Sequence, residues 1–194
     1  MKSWKQAPTS NGWTEILTKS SSTIELLMGG RFVKLKSGRP LKPDHMPTKV
    51  QRVDPNRKKV PLLDVENWCT HFFVNQIFKD ILEELEPDTH QFFPMEIFQK
   101  DEKIDDYYWL NVCNRLDTFH PELTYPRNAR GFWRPVDGEP SSYVFWTDAI
   151  GDHHAWIDKF AGSGRSGLFM SDTLVQRLQA AGLTGLSYHQ EKQA

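Results

Sequence analysis

The sequence contains little cysteine and no long apolar run. Two cysteines, Cys69 and Cys113, allow at most one disulfide bond in 194 residues, which excludes a disulfide-stabilised secreted scaffold. The longest apolar runs, such as residues 107–110, fall far short of the roughly 20 residues that span a bilayer. The N-terminal MKSWKQAPTS has no apolar segment of the signal-peptide kind. These absences predict a soluble, cytoplasmic protein with reduced thiols.

The sequence also lacks the short motifs of common enzyme sites. There is no G-x-S-x-G nucleophile elbow, and the glycine-rich residues 162–167 lack the Lys-Ser/Thr pair of a phosphate-binding loop. The zinc-ligand spacings H-x-x-x-H and C-x-x-C do not occur either. The sequence therefore predicts no catalytic residue, no metal and no cofactor. One alternative, a metal-assisted hydrolase using His153, His154 and Asp158, stays open, although adjacent residues of a strand face opposite sides and seldom share a metal.

Charge is segregated along the chain, although the net charge is only -1. Residues 1–60 hold 13 Lys and Arg against 4 Asp and Glu, whereas residues 61–126 hold 4 against 14. Either the two segments lie side by side and neutralise one another, or each presents a face of one sign to a partner. The basic segment leaves a nucleic-acid-binding module as a further alternative. The sequence pI of about 6.7 and the lack of a recognised motif argue against it.

The chain is predicted to form a single domain over residues 1–194, with a basic N-terminal part at 1–64 and a core at 65–194. Alternating apolar residues around Gly29-Gly30 predict a β-hairpin over residues 23–36, because glycine supplies the positive φ of a tight turn. Five prolines within residues 37–61 predict an irregular connection across the surface. Only residues 49–53 within it look strand-like.

The first half of the core combines a helical and a strand pattern. Apolar residues at every fourth position predict one amphipathic helix over residues 65–85. Two apolar runs, residues 91–98 and 107–113, predict antiparallel strands, joined by an acidic turn over residues 99–106. A loop rich in proline, arginine and aromatic residues then leads to a further strand at residues 143–146.

The last thirty residues predict a β-α-β unit. Residues 168–170 form its first strand, and Ser171 is the expected N-cap of a helix over residues 174–181. Gly182 is the expected left-handed residue after that helix, before a strand at residues 184–188. Together these elements predict an α+β fold, in which two helices flank a mixed, mainly antiparallel sheet.

Two groups of acidic residues are candidate binding residues. The first lies at the end of the predicted helix and the second in the predicted acidic turn: Glu83, Glu84, Glu86 and Asp88; Asp101, Glu102, Asp105 and Asp106. Because the helix leads directly into the first of the two strands, we expect both groups to merge into one acidic patch. Such a patch attracts a basic partner.

Aromatic residues in predicted loops are the other candidates. Seven tryptophans are more than a domain of this size needs for its core, and four lie in predicted loops: Trp4, Trp13, Trp133 and Trp156. Rings beside Arg127, Arg130 and Arg134 have the composition of protein–protein hot spots, although the same rings could cap the core. Trp133 and Arg134 are therefore candidate contacts.

Short motifs in a fixed order resemble a bacterial family of immunity proteins from polymorphic toxin systems. That family shows F-P-V-E, Y-x-x-L-N-V, a strand ending in S-[DE], and G-L-T-G. The corresponding residues here are Phe92-Phe93-Pro94-Met95-Glu96-Ile97, Tyr107-Tyr108-Trp109-Leu110-Asn111-Val112 with Leu116-Asp117, Leu168-Phe169-Met170-Ser171-Asp172, and Ala181-Gly182-Leu183-Thr184-Gly185-Leu186. The chain departs from the pattern at Met95, where the family has valine.

The resemblance implies a protein that binds and neutralises one cognate toxin and catalyses no reaction. Its motif residues look like framework, since they are strand cores, an N-cap and a glycine C-cap. Residues 37–61 and 121–140 depart from the family pattern, and toxin specificity is expected to reside there. The acidic groups, with Trp133 and Arg134, are the expected contacts; a basic toxin that acts on nucleic acid would be attracted to them.

Overall fold

The computed structural model describes residues 3–6, 13–15, 38–43, 46, 48–52, 61–68, 71–99, 102–133, 136, 138, 140–161 and 168–194. The predicted hairpin over residues 23–36 and the glycine-rich residues 162–167 lie outside these ranges. The strands are β1 Ser3–Gln6, β2 Trp13–Glu15, β3 Lys49–Arg52, β4 Val65–Trp68, β5 His71–Val74, β6 Gln91–Gln99, β7 Glu102–Asn111, β8 Arg115–Leu116, β9 Val144–Phe145, β10 Ala155–Asp158, β11 Phe169–Met170 and β12 Tyr188–Gln193. The helices are α1 Gln76–Leu85, α2 Thr147–Ile150 and α3 Asp172–Ala180.

The strands form two sheets, where the sequence predicted one. Sheet I has the order β2-β3-β6-β7-β5-β4, and sheet II the order β8-β10-β11-β1-β12-β9. Among the described strands, the pairs β3–β6, β8–β10 and β9–β12 are parallel, and the other pairs are antiparallel. The predicted α+β class with mixed, mainly antiparallel sheets is confirmed.

Sheet II contains the predicted β-α-β unit in a split form. β1 pairs antiparallel with both β11 and β12, so these two strands are parallel to each other with the N-terminal strand between them. Ser171 caps α3, since its side chain accepts a hydrogen bond from the Leu174 N–H. Gly182 follows the helix with φ +70°, as predicted. The last strand begins at Tyr188, later than the predicted residues 184–188.

The predicted helix over residues 65–85 is wrong in its first half. Residues before Asn75 form the β4–β5 hairpin, in which Val65 pairs with Val74, and only Gln76–Leu85 is helical. The aromatic and β-branched run Phe72-Phe73-Val74 favours a strand. Asn75 then begins the helix, because its side chain accepts a hydrogen bond from the Phe78 N–H.

The predicted acidic turn over residues 99–106 is also mostly strand. β7 begins at Glu102 and pairs with β6 along its whole length, from Gln99 opposite Glu102 to Gln91 opposite Asn111. Glu102, Asp105 and Asp106 are exposed, and Lys103 forms ion pairs with Glu96 and Asp106. Opposite charge on neighbouring strands offsets the repulsion that a row of carboxylates would otherwise cause. The strand predictions for residues 49–53, 91–98, 107–113 and 143–146 are confirmed, with shifted ends.

The interior consists of three clusters separated by the two sheets. The middle cluster joins sheet I, α1, α3 and sheet II, with Val74, Leu82, Met170 and Leu174 fully buried. The outer cluster on sheet I includes Phe73, whose ring contacts Trp109 edge-on with centroids 5.3 Å apart; the outer cluster on sheet II is almost entirely aromatic. No helix in the described part of the chain is long and apolar enough to cross a membrane.

The G-L-T-G segment fastens the C-terminal part to sheet I. Asp64 accepts hydrogen bonds from the Thr184 N–H and hydroxyl at 2.7 and 2.6 Å, and the Val65 N–H donates to the Thr184 carbonyl. The other carboxylate oxygen of Asp64 accepts from the amide of Asn75, the N-cap of α1. Gly185 lies so close to Val65 that an added Cβ would be 2.0 Å from its carbonyl oxygen. These contacts make the motif part of the framework, as the resemblance implied.

Candidate functional site

Glu86, directly after α1, is a buried carboxylate with hydrogen-bond partners from several parts of the chain. It accepts hydrogen bonds from His90 Nε2 at 2.7 Å, Asn114 Nδ2 at 2.8 Å and the Ala155 N–H at 2.9 Å. His153 Nδ1 lies 3.3 Å from Oε1, the same oxygen that accepts from Asn114. One carboxylate therefore joins α1, the start of β6, the segment after β7, and β10.

The hydrogen bonds of His90 define its tautomer. The Cys113 N–H donates to His90 Nδ1 at 3.2 Å, so Nδ1 carries no proton and Nε2 is the N–H that donates to Glu86. The Cys113 thiol packs beside this pair, and burial raises its pKa. His90 serves the local structure, because both of its ring nitrogens already have a partner from the chain.

Burial alone would raise the pKa of Glu86. The hydrogen bond from His90, together with the backbone N–H groups of His154 and Ala155, outweighs burial and lowers the pKa to about 2. Glu86 is therefore ionised throughout the neutral range. A general acid or base works best with a pKa near the working pH, so Glu86 has the properties of a structural carboxylate.

The depressed pKa of Glu86 predicts a loss of stability in acid. Because the pKa falls from 4.5 in the unfolded chain to about 2 in the fold, the stabilisation is complete above pH 4.5 and is lost as the pH falls towards 2. A shift of this size corresponds to about 3 kcal/mol. Solvent on the side of the half-exposed His153 reduces this to about 2 kcal/mol.

Urea unfolding of the wild type and of Glu86→Gln at several pH values isolates this contribution. The comparison with the variant is needed because Asp158 also changes the stability of the wild type with pH. Burial raises the pKa of Asp158, against the hydrogen bonds from Thr118 and Phe160, so its effect on the unfolding free energy is opposite to that of Glu86. We expect the difference in unfolding free energy to be largest above pH 4.5 and to shrink below it. A difference that does not change with pH would contradict the assignment.

The other acidic residues of the first group lie on or after the end of α1. Glu84 accepts a hydrogen bond from Arg177 of α3 at 2.7 Å, and this arginine lowers the Glu84 pKa. Glu83 pairs with Lys79 at 3.8 Å on the same helix. Asp88 is exposed, in a turn with φ +53°. Of the four predicted contacts at this end, Glu86 is therefore interior, and two of the others already have basic partners.

The second acidic group lies at the far end of the β6–β7 hairpin, so the expected merging of both groups into one patch is wrong. Gln91 begins β6 beside α1, whereas Glu102 pairs with Gln99 at the opposite end. Eight residues of strand separate the two ends by about 26 Å. Asp105 and Asp106 are exposed there, and Asp101 lies outside the described residues.

The basic segment neutralises part of this acidic region. Lys49 of β3 lies 3.1 Å from Glu96 of β6, and Lys103 approaches the same carboxylate from the other side at 3.2 Å. These lysines lower the pKa of Glu96. The side-by-side interpretation of the segregated charge therefore holds at the β3–β6 pair.

The three residues of the hydrolase alternative are directed to different partners. His153 faces Glu86, whereas His154 Nδ1 lies 2.7 Å from the Ser171 hydroxyl that caps α3. Asp158 accepts hydrogen bonds from the Thr118 N–H and hydroxyl at 2.7 and 2.9 Å. Within the described ranges, no group of three His, Cys, Asp or Glu side chains is arranged to hold a metal ion.

The loop that precedes β9 buries some of its rings and exposes others. Trp133, a predicted contact, is only 4% exposed, and Trp156 is fully buried in the aromatic cluster under sheet II. The exposed large side chains of this region are instead Leu123 at 45%, Tyr125 at 47%, Phe132 at 40%, Val136 at 44% and Trp146 at 42%. The composition of this loop favoured Trp133 as a contact, whereas the structure buries Trp133 and exposes the smaller rings. Arg134 lies outside the described residues.

Backbone and side-chain contacts fix the conformation of residues 125–133. Tyr125 and Ser142 exchange two backbone hydrogen bonds, and Asn128 Oδ1 accepts from the N–H groups of Arg130 and Phe132. The guanidinium of Arg127 lies over the Trp133 and Phe160 rings, at 4.8 and 5.3 Å from their centroids. We use the name loop platform for Leu123, Tyr125, Arg127, Arg130 and Phe132. Its members are exposed, and the segment that carries them is anchored on buried aromatic residues.

Comparisons with known proteins agree with the motif order found in the sequence. No curated protein matches the chain. A family model described as Immunity protein family (Imm11) matches residues 8–193. The match spans nearly the whole sequence, including the N-terminal part that the short motifs do not reach. The chain therefore belongs to the Imm11 immunity protein family.

Proposed function

We propose that this protein binds one cognate toxin and blocks its action, without catalysing a reaction of its own. The observation that carries the proposal is the family match over residues 8–193. Membership supports toxin immunity, and a protein that confers immunity by binding needs an accessible surface of defined shape. The loop platform provides exposed rings and arginines, the residue types that dominate binding energy at protein interfaces.

The chemistry of the interior supports a role without catalysis. The buried group that most resembles an acid–base site, Glu86 with His90 and Asn114, directs its hydrogen bonds to the chain's own backbone and side chains. A lowered pKa keeps Glu86 ionised, so it holds no proton to donate near neutral pH. These contacts explain the cluster as a structural junction between the elements around it.

Co-expression with the toxin encoded beside this chain's gene tests the proposal. We expect cells that induce the toxin alone to stop growing, and cells that also express this chain to grow. An inactive variant of the same toxin should co-purify with the chain. If the folded chain is present in the cells and the toxin still kills them, the proposal is wrong.

A titration in vitro distinguishes binding from catalysis. When the chain is added to a fixed amount of active toxin, stoichiometric binding predicts complete inhibition only at about equimolar amounts, provided the toxin concentration is well above Kd. A catalyst that modifies the toxin would inhibit at far lower amounts after longer incubation. Inhibition that increases with time at substoichiometric amounts would contradict the non-catalytic part of the proposal.

A further inference from the structure

We propose that the loop platform is the surface that binds the toxin, and that it fits a toxin surface with an apolar recess bordered by carboxylates. The inference rests on the proposed function and names the site and the chemistry of the partner. It moves the contact away from the acidic groups and from Trp133, which the sequence favoured. Three observations carry it: exposed apolar side chains, positive charge and a fixed backbone.

The apolar part of the platform has no structural use that requires its exposure. Tyr125 and Phe132 each expose two-fifths or more of their surface, and Leu123 is similarly exposed. Isolated exposed apolar side chains are common, but two rings and a leucine in one loop beside arginines have the composition of a binding hot spot. Burying side chains of this size against a complementary recess favours binding, because it removes apolar surface from water.

The charge of the platform selects the partner. Residues 125–134 contain Arg127, Arg130 and Arg134 and no acidic residue. Arg127 stacks on Trp133 and Phe160 and donates from Nε to the Gly131 carbonyl, so it serves the loop itself. Arg130 is exposed at the turn, and no described residue forms an ion pair with its guanidinium. Arginine in this position favours a partner that presents carboxylates.

The acidic surfaces fit the role of contact less well. Glu84 is paired with Arg177, and Asp106 with Lys103, so part of their charge is already compensated within the chain. The two groups lie towards opposite ends of a long hairpin, so they do not form one continuous contact surface. The loop platform, in contrast, gathers its rings and arginines in one segment of fixed conformation, which lowers the entropy lost on binding.

Affinity measurements with an inactive variant of the neighbouring-gene toxin test the inference. We expect Phe132→Ala and Arg130→Glu each to weaken binding by roughly tenfold or more, which corresponds to about 1.4 kcal/mol. Ile77→Ala on α1 is the matched apolar control, since Ile77 is 51% exposed, and Gln176→Glu, at an exposed position of α3, is the charge control. Both controls should bind within about twofold of the wild type. Far-UV circular dichroism and thermal melting of each variant check that the fold is kept.

Charge reversal at the acidic end of the hairpin decides between the two surfaces. We expect Asp105→Lys with Asp106→Lys to leave the affinity within about twofold of the wild type. If this pair weakens binding while Phe132→Ala and Arg130→Glu do not, the toxin contacts the acidic surface and the inference is overturned, whereas the proposed function stands. If the wild-type chain does not bind the toxin at all, the proposed function itself fails and the inference fails with it.

Discussion

Replacing Glu86 by alanine is expected to lower the free energy of unfolding by about 3–5 kcal/mol, the usual cost of removing one partner from a buried polar pair. The substitution deprives the His90 ring, the Asn114 amide and the Ala155 N–H of their acceptor. Each buried donor left without a partner costs about 1–3 kcal/mol. The loss should exceed the effect of the cavity alone, because these donors come from three separate parts of the chain.

Urea unfolding at neutral pH measures this effect. Glu84→Ala is the matched control, since Glu84 is two residues away and pairs with Arg177 at the surface. We expect the control to leave the unfolding midpoint nearly unchanged, because an exposed ion pair contributes little. Glu86→Gln should fall between the two, since an amide oxygen still accepts hydrogen bonds but carries no charge. A Glu86→Ala variant as stable as the control would show that the Glu86 network does not hold the fold together.

Elements with strong local signals could be predicted from the sequence. Ser171 before an apolar helical pattern and Gly182 after it define α3, because capping depends on residues within a few positions of the helix end. The β6–β7 pair likewise follows from two adjacent apolar runs. Such signals depend only on residues close in the sequence, and the predictions made from them are confirmed.

Elements that depend on distant partners could not be predicted. β1 lies between β11 and β12, so its pairing joins the first residues to the last, and no periodicity reports such a contact. The β4–β5 hairpin was predicted as helix for a different reason. Its apolar positions continue the helical spacing of α1. The N-cap Asn75 was the local signal that separates them, since its side chain begins the helix.

The sequence could not predict which side chains of the candidate site are exposed. Composition indicated the loop before β9, but burial divided its rings, with Trp133 inside and Phe132 outside. Glu86 was predicted to be exposed, because it lies among other acidic residues in the sequence, but it is buried. Its burial depends on donors from His90, Asn114 and Ala155, which the fold brings together from up to 69 positions away.

Gly185→Ala is expected to destabilise the fold by about 3 kcal/mol, and Gly182→Ala by only about 1 kcal/mol. Both glycines have positive φ, +84° and +70°, so alanine pays a similar conformational cost at each. They differ in their surroundings. A Cβ on Gly185 would lie 2.0 Å from the Val65 carbonyl oxygen, whereas a Cβ on Gly182 would have no atom within 4 Å.

The larger loss at Gly185 has a defined structural cause. Backbone cannot move aside like a flexible side chain, so the added methyl must push the segment away from β4. That shift would weaken the hydrogen bonds of Thr184 to Asp64 and of the Val65 N–H to the Thr184 carbonyl, each worth about 1 kcal/mol. Urea unfolding of both variants measures the two costs, and the difference between them removes the shared effect of φ. Equal destabilisation by the two substitutions would mean that conformational strain alone requires glycine at position 185, and that close packing against Val65 contributes nothing to holding the C-terminal segment on sheet I.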